Sequence, residues 1–251
     1  MLKIALIGYG KMGKNIHRLA LENNCQITAI VDTYGENCLN SIEQIDPKNI
    51  DVCIEFSTPD SVLENINKIA ALGLNMVIGT TGWQNNIDEV KKLVANKNIG
   101  FIYGSNFSLG MNIFYKITEE SAKIINKVKN YDVYGLELHH NQKLDSPSGT
   151  ARELSEIILD NIDSKKTVQY DKLDRAPFNV EFHFASVRAG RIPGTHEIGF
   201  DSEADTIELR HIARNRDGLA LGAILAAKWI ADKKGFYNFK SSFGDILNDL
   251  G

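Results

Sequence analysis

The stretch that decides the fold is Lys3-Ile4-Ala5-Leu6-Ile7-Gly8-Tyr9-Gly10-Lys11-Met12-Gly13. A short apolar run passes directly into G-x-G-x-x-G, and Ile16, Leu19 and Ala20 then recur at helical spacing between Lys11 and Glu22. Strand, glycine turn and helix in that order form a phosphate cradle. The first glycine permits the tight turn, the second lets backbone approach a pyrophosphate, and the third lets the helix pack closely on the strand. Gln26 to Val31 is apolar again and ends at Asp32, where a carboxylate can accept hydrogen bonds from ribose hydroxyls. The segment therefore predicts a βαβ unit that binds a dinucleotide, with Gly8, Tyr9, Gly10, Lys11, Met12, Gly13 and Asp32 as its contacts.

The alternation continues downstream. Val52 to Phe56 reads as a strand, and Val62, Ile66, Ile69 and Ala70 follow at helical spacing. Met76 to Ile78 and Phe101 to Tyr103 are two further short strands, with a helical stretch from Ile87 to Val94 between them. Such alternation predicts a parallel sheet covered on both faces. Loops at the carboxyl ends of its strands face the cofactor crevice, so Gly79, Thr80 and Thr81, together with Gly104, Ser105, Asn106 and Phe107, are expected to flank the nicotinamide half. Asp32 would repel a 2′-phosphate and Thr33 offers only a hydroxyl, which favours NADH; Lys11 is a cation that keeps NADPH open.

After Asn106 the pattern changes. One long amphipathic helix from about Leu109 to Val128 precedes a strand from Asp132 to Leu138. The period then becomes two in Val180 to Phe184 and in Thr206 to Arg210, with His196 to Phe200 between them, which predicts antiparallel strands. Leu219 to Ala231 is an alanine-rich and leucine-rich helix too apolar to stand alone in solvent, and is expected to return to the parallel sheet. The fold class is thus α/β: a Rossmann-type parallel-sheet dinucleotide-binding domain (1–107 and 218–251) with an inserted α+β domain of mainly antiparallel strands (108–217) for substrate and oligomerisation.

Bulk properties narrow the function classes. At 251 residues and 43% hydrophobic content, the chain can bury a substantial core. The net charge is −4 without runs of like charge, so neither nucleic acid nor a membrane surface is an expected partner. The N-terminal apolar run enters the glycine loop without a cleavage site and reads as a strand, not a signal peptide. No apolar stretch has the roughly 20 residues a membrane helix needs. Cys25, Cys38 and Cys53 lack metal-ligand spacing and are odd in number, which points to a reducing cytoplasm.

The second informative stretch is Glu137-Leu138-His139-His140-Asn141-Gln142-Lys143-Leu144-Asp145-Ser146-Pro147-Ser148-Gly149-Thr150-Ala151. Two histidines offer a proton that moves near neutral pH, and Lys143 offers a compact cation. Ser146 reads as an N-cap and Pro147 as the first helical residue, so Ser148, Gly149 and Thr150 would expose free N–H groups in an anion-binding first turn.

With both motifs in hand, the chain closely resembles the 4-hydroxy-tetrahydrodipicolinate reductases, also called dihydrodipicolinate reductases, of lysine and diaminopimelate biosynthesis. Glu137 to Ala151 fits the family signature E-x-H-H-x-x-K-x-D-x-P-S-G-T-A throughout, with support from Lys11-Met12-Gly13, Gly79-Thr80-Thr81-Gly82, Asn106-Phe107-Ser108, Val187-Arg188-Ala189-Gly190 and Gly194-Thr195-His196. The resemblance implies that His139 is the catalytic acid/base and Lys143 a proton donor. It further implies that His140, Gly149 and Thr150 hold a small cyclic dicarboxylate, and that the enzyme is a homotetramer using NADH or NADPH. Two departures bear on the cofactor: the glycine loop is one residue shorter than in many relatives, and Thr33 stands where NADPH-preferring relatives often carry a basic residue. The alternative function is another two-domain NAD(P)-dependent dehydrogenase, acting on an amino acid or a sugar. His183, His196 and His211 have no acid or cysteine at ligand spacing and read as structural, so no metal is expected.

Overall fold

The computed structural model describes residues 1–33, 35, 37–170 and 172–249. Strand β1 (Leu2–Ile7) turns Ile4 and Leu6 to one face of a sheet and Ala5 and Ile7 to the other, and all four are buried. A strand buried on both faces needs helices on both sides. The chain supplies them by alternation: α1 (Lys11–Ala20), β2 (Cys25–Val31), β3 (Val52–Glu55), α2 (Val62–Ala71), β4 (Asn75–Ile78), α3 (Ile87–Lys97) and β5 (Gly100–Tyr103). There follow α4 (Leu109–Val128), β6 (Asp132–His139), α5 (Gly149–Asn161), β7 (Thr167–Gln169), β8 (Glu181–Arg188), β9 (Thr195–Asp201) and β10 (Thr206–Ile212), and finally α6 (Asp217–Ile230), β11 (Gly235–Asn238) and α7 (Phe243–Asn248).

Two compact units result, one formed by Met1–Leu109 with Arg216–Gly251, the other by Gly110–Asn215. The first contains a six-stranded, all-parallel sheet in the order β11-β5-β4-β3-β1-β2. One of its faces is covered by Ile16 and Leu19 of α1, by Ala220, Ala223, Ile224 and Ala227 of α6, and by Phe243 and Ile246 of α7. The other is covered by Val62, Ile66 and Ile69 of α2 and by Val90 and Val94 of α3. Strand β11 was not foreseen. Its four residues are all only half-buried at the edge of the sheet, so its sequence carries neither a continuous apolar run nor a clean alternation.

The second unit holds a five-stranded sheet in the order β10-β9-β6-β8-β7. β9 runs antiparallel to both β6 and β10, but β8 runs parallel to β6 and to β7, so the sheet is mixed where antiparallel strands were expected. The reason is α5. Helix α5 carries the chain back along the sheet after β6, so β7 and β8 start from the same end as β6 did, and only β9 reverses direction against it. Phe182, Phe184, Ile198 and Phe200 of this sheet pack with Phe114 and Ile125 of α4 and with Leu154 and Ile158 of α5. Among the described residues, no helix is long and apolar enough to cross a membrane.

In the first unit, α6 lies so close to the chain entering α4 that a Cβ on Gly222 would collide with the Phe107 carbonyl oxygen. Gly222→Ala is therefore expected to destabilise the fold by about 1–3 kcal/mol through overpacking, read as a lower urea midpoint at unchanged slope.

Candidate active site

In the first unit the glycine loop sits at the carboxyl end of β1. Gly8 has φ +91°, a left-handed value that suits glycine, and its N–H donates to the Val31 carbonyl at 2.9 Å. Gly13 has no room for a side chain, because a Cβ would collide with the Gly8 carbonyl; this lets the first turn of α1 lie on the loop. Gly10 is the N-cap of α1 and Lys11 its first, exposed residue, while Met12 packs against the core. The Tyr9 N–H donates to Asp32 Oδ2 at 2.7 Å, which fixes the carboxylate at the end of β2 beside the loop. Gly8, Gly10, Asp32 and Thr33 line a cavity of about 570 Å³ that extends past Ser57 and Asn65 to Lys68. Lys68 is paired there with Glu43 at 3.1 Å and Glu64 at 2.8 Å.

The loops after β4 and β5 divide into exposed and core parts. Gly79 closes on Glu55, donating its N–H to that carbonyl at 2.9 Å, and Thr80 Oγ1 accepts from the Ser57 N–H at 2.9 Å; Thr81 is exposed. Gly104 donates to the Ile78 carbonyl at 3.2 Å, Ser105 is exposed, and Asn106 Oδ1 accepts from the Ser108 N–H at 2.9 Å. The Phe107 ring is buried against Phe239 and Phe56, with centroids 4.6 and 6.1 Å away, and is a core group.

In the second unit, alternation along β6 puts Glu137 and His139 on its buried face. Strand pairing then sets Glu137 opposite His196 of β9 and opposite Ser186 of β8, with His139 opposite Arg188. Glu137 Oε1 accepts from Arg188 at 2.8 Å, from the Ser186 hydroxyl at 2.8 Å and from the Ser148 N–H at 3.0 Å. Burial alone would raise the Glu137 pKa, but donors from His196, Ser148, Arg188 and Ser186 hold it well below the usual carboxylate range. Burial pushes His139 down to about 4; Glu137 opposes this, while His196, Lys143 and Arg188 reinforce it. The imidazole is thus neutral at pH 7.

The loop after β6 exposes His140 and carries Lys143, whose Nζ donates to both Asp145 oxygens at 2.7 and 2.9 Å. The helix begins later than its sequence suggests. Ser148 is the N-cap of α5, its Oγ accepting from the Ala151 N–H at 3.1 Å, and Gly149 is the first helical residue. Ser146 and Pro147 lie outside the helix, because the Ser148 N–H is already directed to Glu137 and the helical bonds start beyond it. Gly149 is exposed, and the Thr150 hydroxyl is hydrogen-bonded to Tyr115. N–H groups in a helical first turn have no acceptor within the helix, a geometry at Gly149 and Thr150 that suits an anion.

The family description "Dihydrodipicolinate reductase, N-terminus" matches residues 2–107, and "Dihydrodipicolinate reductase, C-terminus" matches residues 110–243. The chain belongs to the dihydrodipicolinate reductase family. It is 37% identical over 250 residues to the 4-hydroxy-tetrahydrodipicolinate reductase of Christiangramia forsetii, covering 99% of both chains. It is 34% identical to the enzyme of that name from Buchnera aphidicola subsp. Baizongia pistaciae, covering 98% of both. The solved structure of dipicolinate-bound dihydrodipicolinate reductase from Paenisporosarcina sp. TG-14 has the same fold, with a TM-score of 0.78 at 24% identity, over 96% of this chain and 99% of that one. Membership of the dihydrodipicolinate reductase family makes the chain an NAD(P)H-dependent oxidoreductase.

Three residues packed around Glu137 were not assigned to the candidate site from sequence, His196 having been read as structural. Arg188 and Ser186 lie on β8, and His196 on β9, all brought to Glu137 only by register. His196 therefore does have an acidic companion: ligand atoms of Glu137, His139 and His196 lie within 4.8 Å of one another. Such a donor set suits a divalent cation, but the Arg188 guanidinium 2.8 Å from Glu137 already supplies the positive charge, so we assign no metal. Asp145 pairs with Lys143 and does not cap the helix.

Because folding lowers the His139 pKa from 6.5 to about 4, its contribution to stability is intact above about pH 6.5 and is lost as pH falls toward 4. Burial lowers His211 as well, in the same direction. The urea midpoint is expected to fall between about pH 7 and pH 5, and His139→Asn to remove part of that fall.

Proposed function

We propose that the chain reduces 4-hydroxy-tetrahydrodipicolinate, or its dehydrated dihydrodipicolinate form, to tetrahydrodipicolinate in lysine and diaminopimelate biosynthesis. The observation that carries this reading is the sequence Lys143 to Thr150. It sets a cation ion-paired with Asp145 and an open helical first turn in one loop directly after His139. A dicarboxylate ring needs both kinds of anion contact, and a relative of the same fold binds dipicolinate. His140, Gly149, Thr150 and Lys143 hold the substrate. Hydride adds to the unsaturated, nitrogen-conjugated ring, the charge moves to a neighbouring atom, and a proton neutralises it. Lys143 donates that proton and His139, neutral at rest, is the acid/base that passes it.

The dinucleotide lies on Gly8, Tyr9, Gly10, Lys11, Met12 and Gly13, with the ribose on Asp32 and the nicotinamide half toward Gly79, Thr80, Thr81, Gly104, Ser105, Asn106 and the backbone of Phe107. NADH is the preferred donor. Asp32 is fixed toward the loop, and Lys68, a cation lining the same cavity, is already engaged by two glutamates. A homotetramer in the cytoplasm completes the proposal, supported by Val187, Ile207 and Ile212 standing exposed on the second sheet.

The substrate generated in situ from aspartate semialdehyde and pyruvate should accelerate NADH oxidation; no acceleration with either NADH or NADPH rejects the reading. His139→Gln and Lys143→Ala are each expected to lower turnover about 10²-fold or more. Asp32→Ala should raise the KM for NADH more than that for NADPH, and an equal rise would remove the ribose contact.

A further inference from the structure

The carboxylate of Glu137 is fully buried and divided in its duties. Oε1 is saturated by three donors, from Ser148, Ser186 and Arg188. Oε2 faces His139 Nδ1 at 3.5 Å and His196 Nε2 at 3.4 Å, and among the described residues it has no nearer donor. Among the described residues, His139 Nδ1 is itself buried with no other hydrogen-bond partner. A neutral imidazole carries one N–H, and a buried N–H aimed at nothing is costly, so its proton belongs on Nδ1, directed at the carboxylate. Nε2 then becomes the basic nitrogen. Its neighbour is Gly194, where an added Cβ would lie 3.2 Å from Nε2, so a side chain there would crowd that nitrogen. The ring cannot swing freely either, since it stands edge-on to His196 with centroids 5.0 Å apart and an interplanar angle of 72°.

We infer that Glu137 is the positioning residue for proton transfer, holding His139 in the Nδ1–H form and tying that ring to the first turn of α5 through the Ser148 N–H. The inference rests on the reading that His139 handles the proton. Arg188 has a distinct part in it. By pairing with Oε1 it keeps Glu137 ionised, and its charge adds modestly to the burial that holds His139 neutral. His196 completes the frame, hydrogen-bonded to Ser148 Oγ at 3.2 Å while its ring confines His139. One buried carboxylate thereby sets the orientation of the acid/base relative to the turn that receives the substrate carboxylate.

Two measurements on the full-length protein test this. Nitrogen-15 spectroscopy of His139 in the unmutated protein at pH 7 should find the proton on Nδ1; a proton on Nε2, or on both nitrogens, overturns the inference without any variant. Turnover is then compared among wild type, Glu137→Gln, His139→Gln and the double variant. Glu137→Gln should lower kcat by about 10-fold or more in the wild-type background and by less than about twofold in the His139→Gln background. Equal losses in the two backgrounds, or no loss in the first, mean that Glu137 does not act through His139. Wild-type turnover in His139→Gln alone would instead defeat the functional reading itself, which is a separate outcome.

Discussion

The second unit is organised around one unfavourable act, the burial of the Glu137 charge. An ionised carboxylate taken out of water costs several kcal/mol unless donors replace its hydration, so every element around it must deliver one. β8 delivers Arg188 and Ser186, β9 delivers His196, and α5 delivers its own N-cap amide through Ser148. The late start of α5 and the register of β6 against β8 and β9 thus both serve that one charge. With the donors in place the charge is satisfied, and the neutral imidazole next to it inherits a fixed orientation.

The first unit works differently. Its cradle depends on what is missing: Gly13 has no side chain to strike the Gly8 carbonyl, and Gly8 takes a backbone conformation that other residues resist. Side chains enter as trim, Asp32 being held by a backbone amide and Thr80 by another. A backbone cradle suits a cofactor whose phosphates look alike from one enzyme to the next, whereas the side-chain cluster of the second unit suits one ring and one proton.

What could be read from sequence follows from that contrast. The βαβ unit, the glycine loop and Asp32 are local, each recognisable from neighbours within a strand or a turn. The loop after β6 was legible as residue types, but not as a network. His196 is far from Glu137 in the chain, and only the pairing of β6 with β9 makes them neighbours. The direction of β8 was hidden for a related reason, since period-two alternation reports a half-buried strand and is silent on whether its partner runs with it or against it. At the start of α5 two serines compete as caps, and Ser148 wins through a bond to a strand that local spacing cannot see.

The pairing of β6 with β9 carries a further meaning for how the molecule avoids misassembly. A slip of one residue would set Thr195 or Glu197 in place of His196 opposite Glu137, and every side chain of β9 would change faces. The first replacement supplies a weaker donor, and the second brings one carboxylate against another. A misaligned sheet would therefore strand the buried charge as well as lose its apolar packing. The cluster proposed for proton transfer thus also favours correct strand alignment, since only the aligned register gives the buried carboxylate its full set of donors.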